Sequence, residues 1–310
     1  MPIYYGDEAI TYLGKKVKQQ DPKSSSHWNM HHSNFSFDGK IFSGVTGFGS
    51  NENQYKGLRK IVNYLFQIPF RKIGKKFSEF DDIDKVAKDI LKMNNKAYSL
   101  DVLRQVISLA YLKDKGVVKD QGLGCVIGDG FATMTSLLLK CSNQKVVLVN
   151  LVKTLLMDLW QLKLVLGDKF NTDVAFVEKK SDMLKILSLS GKGPLVVVVE
   201  AENHQLIQEC PIDLVINIAS MQEMNPEVVA EYFNDISIAA KKHKSFFYCC
   251  NRKNKELPDG TIVNFEDYPW HLSSKVLDDE LCPWHQKYYS FRPPFYHDYD
   301  GVHKHRLIEF

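Results

Sequence analysis

The chain has 310 residues, 44% of them hydrophobic, enough to bury a substantial core in one large domain or two. Its 40 basic and 37 acidic residues leave a formal net charge of +3, a balance that argues against nucleic acid as a partner. No apolar run approaches the roughly 20 residues that span a bilayer, the N-terminus lacks a secretory pattern, and the six cysteines show no paired metal spacing, so a soluble, cytoplasmic chain without a metal site is expected.

In chain order, residues 19–49 are polar and carry Ser24, Ser25, Ser26, His27, Trp28, His31 and His32; they read as an irregular arm or lid, with the histidines as solvated loop residues rather than metal ligands. From residue 57 to 112 the period is helical: Ile83, Val86 and Ile90 recur at spacings of three and four, as do Leu100, Leu103, Val106, Ile107 and Ala110 behind a cap at Ser99. Beyond Gly116, strand-like runs at 124–127, 145–150, 174–177, 195–200, 212–218 and 245–250 alternate with helical runs at 133–140, 152–165, 181–189 and 226–242. That alternation predicts a parallel sheet with crossover helices, and the near-continuous apolar character of the strands predicts cover on both faces. The last helix starts at Pro226 behind Asn225, where the missing N–H costs nothing. The expected division is a helical and irregular region, 1–114, followed by a Rossmann-like α/β domain, 115–310, with a tail rich in aromatics and histidines.

The first strand runs into Gly128-Asp129-Gly130-Phe131 and then a helix. Two glycines there admit backbone angles closed to other residues and let a ligand approach the main chain, with the first helix amides free for its oxygen atoms. The second strand ends in Asn150-Leu151, twenty residues past Gly130, where dinucleotide and methyl-donor folds place an acid against ribose hydroxyls. Asparagine lacks the charge, though its carbonyl can accept such a bond.

The strand Ile212-Asp-Leu-Val-Ile-Asn217 leading into Ser220-Met-Gln-Glu-Met-Asn-Pro226 resembles the signature of the sugar O-methyltransferases, a Rossmann-like branch of the S-adenosylmethionine-dependent enzymes. The glycine turn at 128–130 and Val149-Asn-Leu151 resemble that family's cofactor turn and following strand end, in the same order, and the likeness spans about residues 120–250. Asp129, where a small residue is common, and Asn150, in place of an acid, depart from the pattern. The resemblance implies methyl transfer from S-adenosylmethionine to a hydroxyl of a sugar or glycoconjugate, with Gly128, Asp129, Gly130, Phe131, Asn150 and Leu151 at the cofactor and Ser220, Gln222 and Glu223 near its methionine end or the acceptor.

A hydroxyl is a poor nucleophile at neutral pH, so a general base is sought. Glu223 lies just past a strand end and could serve as base, bind the donor's amino group, or simply favour a helix start. His271 and His285 could titrate near neutral pH; His204 reads as a loop residue near the adenine side. Trp270, Trp284, Tyr288 and Tyr289 either stack on a sugar or close a core, and Glu266 with Asp267 is the one acidic pair nominated for a divalent ion, which is not itself expected. Two other readings compete: a degenerate methyltransferase fold kept as a scaffold, supported by Asp129 and Asn150, and a nicotinamide oxidoreductase, disfavoured by Thr133 at the third glycine position.

Overall fold

A computed structural model describes residues 3–47 and 52–310. The chain opens with β1 (Tyr4–Tyr5), α1 (Gly6–Lys16), α2 (Ser26–His32) and a small hairpin, β2 (Ser36–Phe37) with β3 (Phe42–Ser43). Three helices follow: α3 (Gly57–Gly74), α4 (Phe80–Met93) and α5 (Leu100–Asp114). The alternating portion contains β4 (Leu123–Ile127), α6 (Thr133–Cys141), β5 (Lys145–Asn150), α7 (Val152–Leu166), α8 (Phe170–Asp173), β6 (Val174–Val177), α9 (Lys180–Ser188), β7 (Val196–Glu200), β8 (Leu214–Ile218), α10 (Pro226–Ala240) and β9 (Phe246–Arg252). The tail adds hairpins β10 (Asn254–Glu256) with β11 (Ile262–Asn264) and β13 (Lys287–Tyr289) with β14 (Tyr296–Asp298), and the long strands β12 (Lys275–Leu281) and β15 (His303–Glu309).

Nine strands form one sheet in the order β1-β6-β7-β5-β4-β8-β9-β15-β12. The six from β6 to β9 are parallel, while β1, β15 and β12 pair antiparallel at its two sides. This is the expected Rossmann-like α/β fold: strand order reverses at β4, whose neighbours are β5 on one side and β8 on the other. Pleating explains the two-sided core. Val126, Val146, Leu148 and Ile216 pack on one face with α1 and α4 to α7, while Cys125, Ile127, Val147, Val149 and Val215 pack on the other with α9 and α10. No helix among the described residues is long and apolar enough to cross a membrane.

The N-terminal residues join this sheet directly. Tyr4 pairs with Phe176, α1 lies along α7, and Lys16 reaches Glu178 at 2.9 Å and Glu200 at the end of β7. The stretch 19–47 is more ordered than its composition predicts; residues 48 and 49 of the expected arm lie outside the described residues. Ser25 caps α2, its hydroxyl accepting from the Trp28 amide, so the serine run starts a helix rather than a loop. The expectation of solvated histidines fails for His27 and His32, which are buried among Trp28, His31 and Phe35. The long tail strands also went unforeseen; β15 continues the sheet beside β9, pairing His305 with Cys250.

Candidate functional site

The turn after β4 is built largely from residues with positive φ: +72° at Gly128, +58° at Gly130, +66° at Phe131 and +46° at Ala132. Glycine at 128 is also a steric need, because a Cβ there would lie 1.9 Å from the Ser220 hydroxyl. The helix amides predicted to stay free for a ligand are instead occupied. The Asp129 carboxylate accepts from Met134 N at 2.9 Å and Thr135 N at 2.7 Å, capping α6 where a ligand oxygen was expected.

Asp158, on α7, completes the turn. It accepts from Ala132 N at 2.7 Å and from Asn150 Nδ2 at 3.0 Å, tying β4 to β5. Asn150 turns its own carbonyl to Leu151 N at 3.0 Å and retains one lone pair for a hydroxyl. Burial, and then the charge of Asp129, hold the Asp158 carboxyl well above the usual carboxylate range; burial raises Asp129 as well. Sequence reasoning missed Asp158. Its signal was the single acid in the helical run 152–166, set among Leu155, Leu156, Met157, Leu159 and Trp160, eight residues after Asn150.

The segment after β8 is fastened from below. Asn217 donates to Ile127 O at 2.9 Å and accepts from Met221 N and Asn251 Nδ2, while Gln222 accepts from Arg252 N at 2.7 Å. Ala219 takes φ +56°, which swings Ser220 under Gly128 and aims the following residues over the sheet. Glu223 ends there, largely buried, its carboxyl pushed up to about 7 by burial against the opposing pull of a Gln222 hydrogen bond and of Lys255 and Arg252. His27 Nε2 lies 3.6 Å away, long for a hydrogen bond, and burial lowers that imidazole to about 4, so it is neutral at pH 7.

These three segments line one cavity of about 250 Å³ at the carboxyl ends of the strands. Gly128, Asp129, Gly130, Phe131, Asn150, Leu151, Ser220, Gln222, Glu223 and His285 all face it. Trp28, from the segment read as an arm or lid, closes it together with Arg104, Arg252 and Tyr299, which the sequence did not single out. A second groove of about 480 Å³ shares Ser99, Asp101, Arg104, Arg252 and Tyr299 with the first and is walled by Tyr55, Arg59, Tyr288, Tyr289 and Phe291.

Several expected roles are corrected by position. His271 sits in a short turn, 270–272, outside the cavity lining. His285 reaches the cavity but does not titrate near neutrality: burial, then Arg104, pushes it well below the ordinary histidine value. His204 is no loop residue near a nucleobase, since its ring lies between Asp235 and Glu231 of α10. Glu266 is engaged by Lys304 at 2.7 Å and Arg306 at 2.8 Å, and Asp267 accepts from Asn264, so that acidic pair is spent on ion pairs and a turn. Trp284 is core, its indole N–H donating to Ser108 at 2.9 Å, and Trp270 donates to Phe265 O; only Tyr288 and Tyr289 of the four nominated aromatics line a groove.

No protein-family model and no curated protein matches the chain. Solved structures with a similar fold include a protein assigned as a sarcosine dimethylglycine methyltransferase from Galdieria sulphuraria, 10% identical over 67% of this chain and 87% of that one with a TM-score of 0.41. Another is magnesium protoporphyrin IX methyltransferase from Synechocystis PCC 6803, solved with bound SAH, 12% identical over 81% of this chain and 98% of that one with a TM-score of 0.37. Both likenesses are of fold.

Proposed function

We propose that this chain is an S-adenosylmethionine-dependent methyltransferase acting on a hydroxyl of a sugar or glycoconjugate. The observation that carries the reading is the convergence of the glycine turn, the end of β5 and the Ser220–Glu223 segment on one cavity at the point where strand order reverses. The residues present fit the donor. Main chain at Gly128, Gly130 and Phe131 lines the cavity, Asn150 keeps a lone pair for a ribose hydroxyl, and Ser220 and Gln222, on the same lining, are assigned here to its methionine end.

When bound, the donor would supply a methyl group on a sulfonium centre for in-line displacement. Glu223 is the group of this chain suited to the remaining task, taking the acceptor's proton onto a carboxylate oxygen, because a base with a pKa near the working pH is the effective one. His27, neutral and 3.6 Å away, contributes no charge that would depress it. The adjoining groove supports a carbohydrate acceptor: Tyr55, Tyr288, Tyr289 and Phe291 line it with aromatic rings, and Arg59 lies over the Tyr55 and Phe291 rings beside it. In this reading the 1–114 region supplies the acceptor side, through Trp28, Asp101, Arg104, Tyr55 and Arg59, and the 115–310 region supplies the donor side. Six free thiols support a reducing, cytoplasmic setting.

The test is a reaction with methyl-labelled donor against sugar nucleotides and free glycans, read by mass spectrometry and NMR. Label on a ring hydroxyl supports the reading; label found on nitrogen or carbon acceptors alone overturns the acceptor class.

A further inference from the structure

The C-terminal strands bring together three metal-ligating side chains that nothing above employs. Cys250 lies in β9, Cys282 follows β12, and His285 closes the turn Cys282-Pro283-Trp284-His285. One ligand atom from each lies within 4.8 Å of the other two, and all three residues are buried. The backbone sets this arrangement: His285 N donates to Cys282 O at 3.1 Å, and Cys282 N donates to His303 O at 3.0 Å, holding the turn against β15, the neighbour of β9. Cysteine spacing alone hid the site, since its short-range pair is a Cys-x-x-His and its third member is 32 residues upstream (282 minus 250).

The group is incompletely satisfied by the protein. His285 is 4% exposed, and its Nε2 has no hydrogen-bond partner. His303, fully buried, stacks on it with ring centroids 5.2 Å apart, and neither of its ring nitrogens makes a hydrogen bond of good geometry, the Gly301 carbonyl being the nearby acceptor. Buried polar atoms are normally paired, so a buried imidazole with an unpaired nitrogen, beside two thiols, has the makings of a cation site. Thiolate and imidazole are the ligand types of zinc, at about 2.3 Å for sulfur and about 2.0–2.1 Å for nitrogen.

We propose that Cys250, Cys282 and His285 bind a zinc ion. The ion accepts one electron pair from each sulfur and from an imidazole nitrogen; the two thiols each release a proton to solvent, and nothing is oxidised or reduced. Two thiolates cancel the charge of the ion, so the filled site can stay buried beside the Arg104 guanidinium. Because His285 also lines the cavity, the ion would fix that wall, and it would do so whether or not the cavity takes a methyl donor.

The full chain, expressed with supplemental zinc and purified in reductant, should carry stoichiometric zinc by plasma mass spectrometry. Replacement by cobalt should give the near-ultraviolet thiolate-to-metal absorption. Both should vanish in Cys282→Ser and survive in Cys141→Ser, whose thiol lies on α6 away from the cluster. Should Cys282→Ser not fold, cobalt titration of the chelator-stripped wild type decides. Trace zinc only, a cobalt spectrum without the thiolate band, or a Cys250–Cys282 disulfide under these reducing conditions would overturn the proposal.

Discussion

The side-chain amide of Asn150 donates to the carboxylate of Asp158 at 3.0 Å, and this bond accounts for the asparagine at a position where an acid is the rule. An acid at 150 would face Asp158 across the same distance. Asn150→Asp therefore replaces the amide donor by a second buried carboxyl, which must either share a proton with Asp158 or repel it, and should cost about 2 kcal/mol or more of stability without improving donor affinity. Thermal denaturation and calorimetry on the variant check it; an equally stable protein that binds the donor product more tightly would refute the role given to Asp158.

Gly128 carries both a positive φ and a Ser220 hydroxyl where its Cβ would be. Gly128→Ala should destabilise by roughly 1–3 kcal/mol and weaken donor binding. Adding Ser220→Gly should recover part of the stability, because it clears the clash and leaves the strained backbone. No recovery in the double variant would mean that the contact contributes nothing.

With its carboxyl at about 7, Glu223 should leave a mark on the rate profile: activity rises with pH through about 7 as the base ionises. Glu223→Gln should lower kcat by roughly 10²- to 10⁴-fold and change the affinity for S-adenosylhomocysteine little. A variant with unaltered kcat moves the base elsewhere.

Burial holds His27 and His32 at about 4, against an ordinary value of 6.5. Between those values the unfolded chain binds protons that the folded chain refuses, so stability present above pH 6.5 is lost on acidification, by up to about 3 kcal/mol for each residue. Glu223 acts in the opposite sense between 4.5 and about 7, where the folded state holds the extra proton, and it offsets one of the two. The melting temperature should therefore fall from pH 6.5 to 4.5, less steeply in His32→Asn. A slope no different between His32→Asn and the wild type would contradict the burial of that ring.

What could be read from the sequence was whatever repeats along it. The apolar runs gave β4 to β9 to within a residue or two, and Gly128, Asn150 and Ser220 were found because each ends a strand at the sheet edge where ligands gather. Contacts across the chain were not legible: Asp158 is an ordinary helix residue until β5 places Asn150 beside it, and Arg104 joins the cavity only once α5 packs below the tail. His27 and His32 misled because polar composition suggested solvent, whereas a cap at Ser25 turned the segment into a helix with its rings inward. His271 misled through proximity to His285 in an aromatic tail whose strands then separate them.

Calorimetry of the wild type and Gly128→Ala with S-adenosylhomocysteine, after mass spectrometry has excluded carried-over ligand, tests the central claim most directly. The account predicts micromolar binding by the wild type and a loss of at least about tenfold in the variant, equivalent to about 1.4 kcal/mol. Absence of binding by ligand-free, folded wild type at millimolar concentration would contradict it, and would leave the fold as a scaffold around a cavity with another occupant.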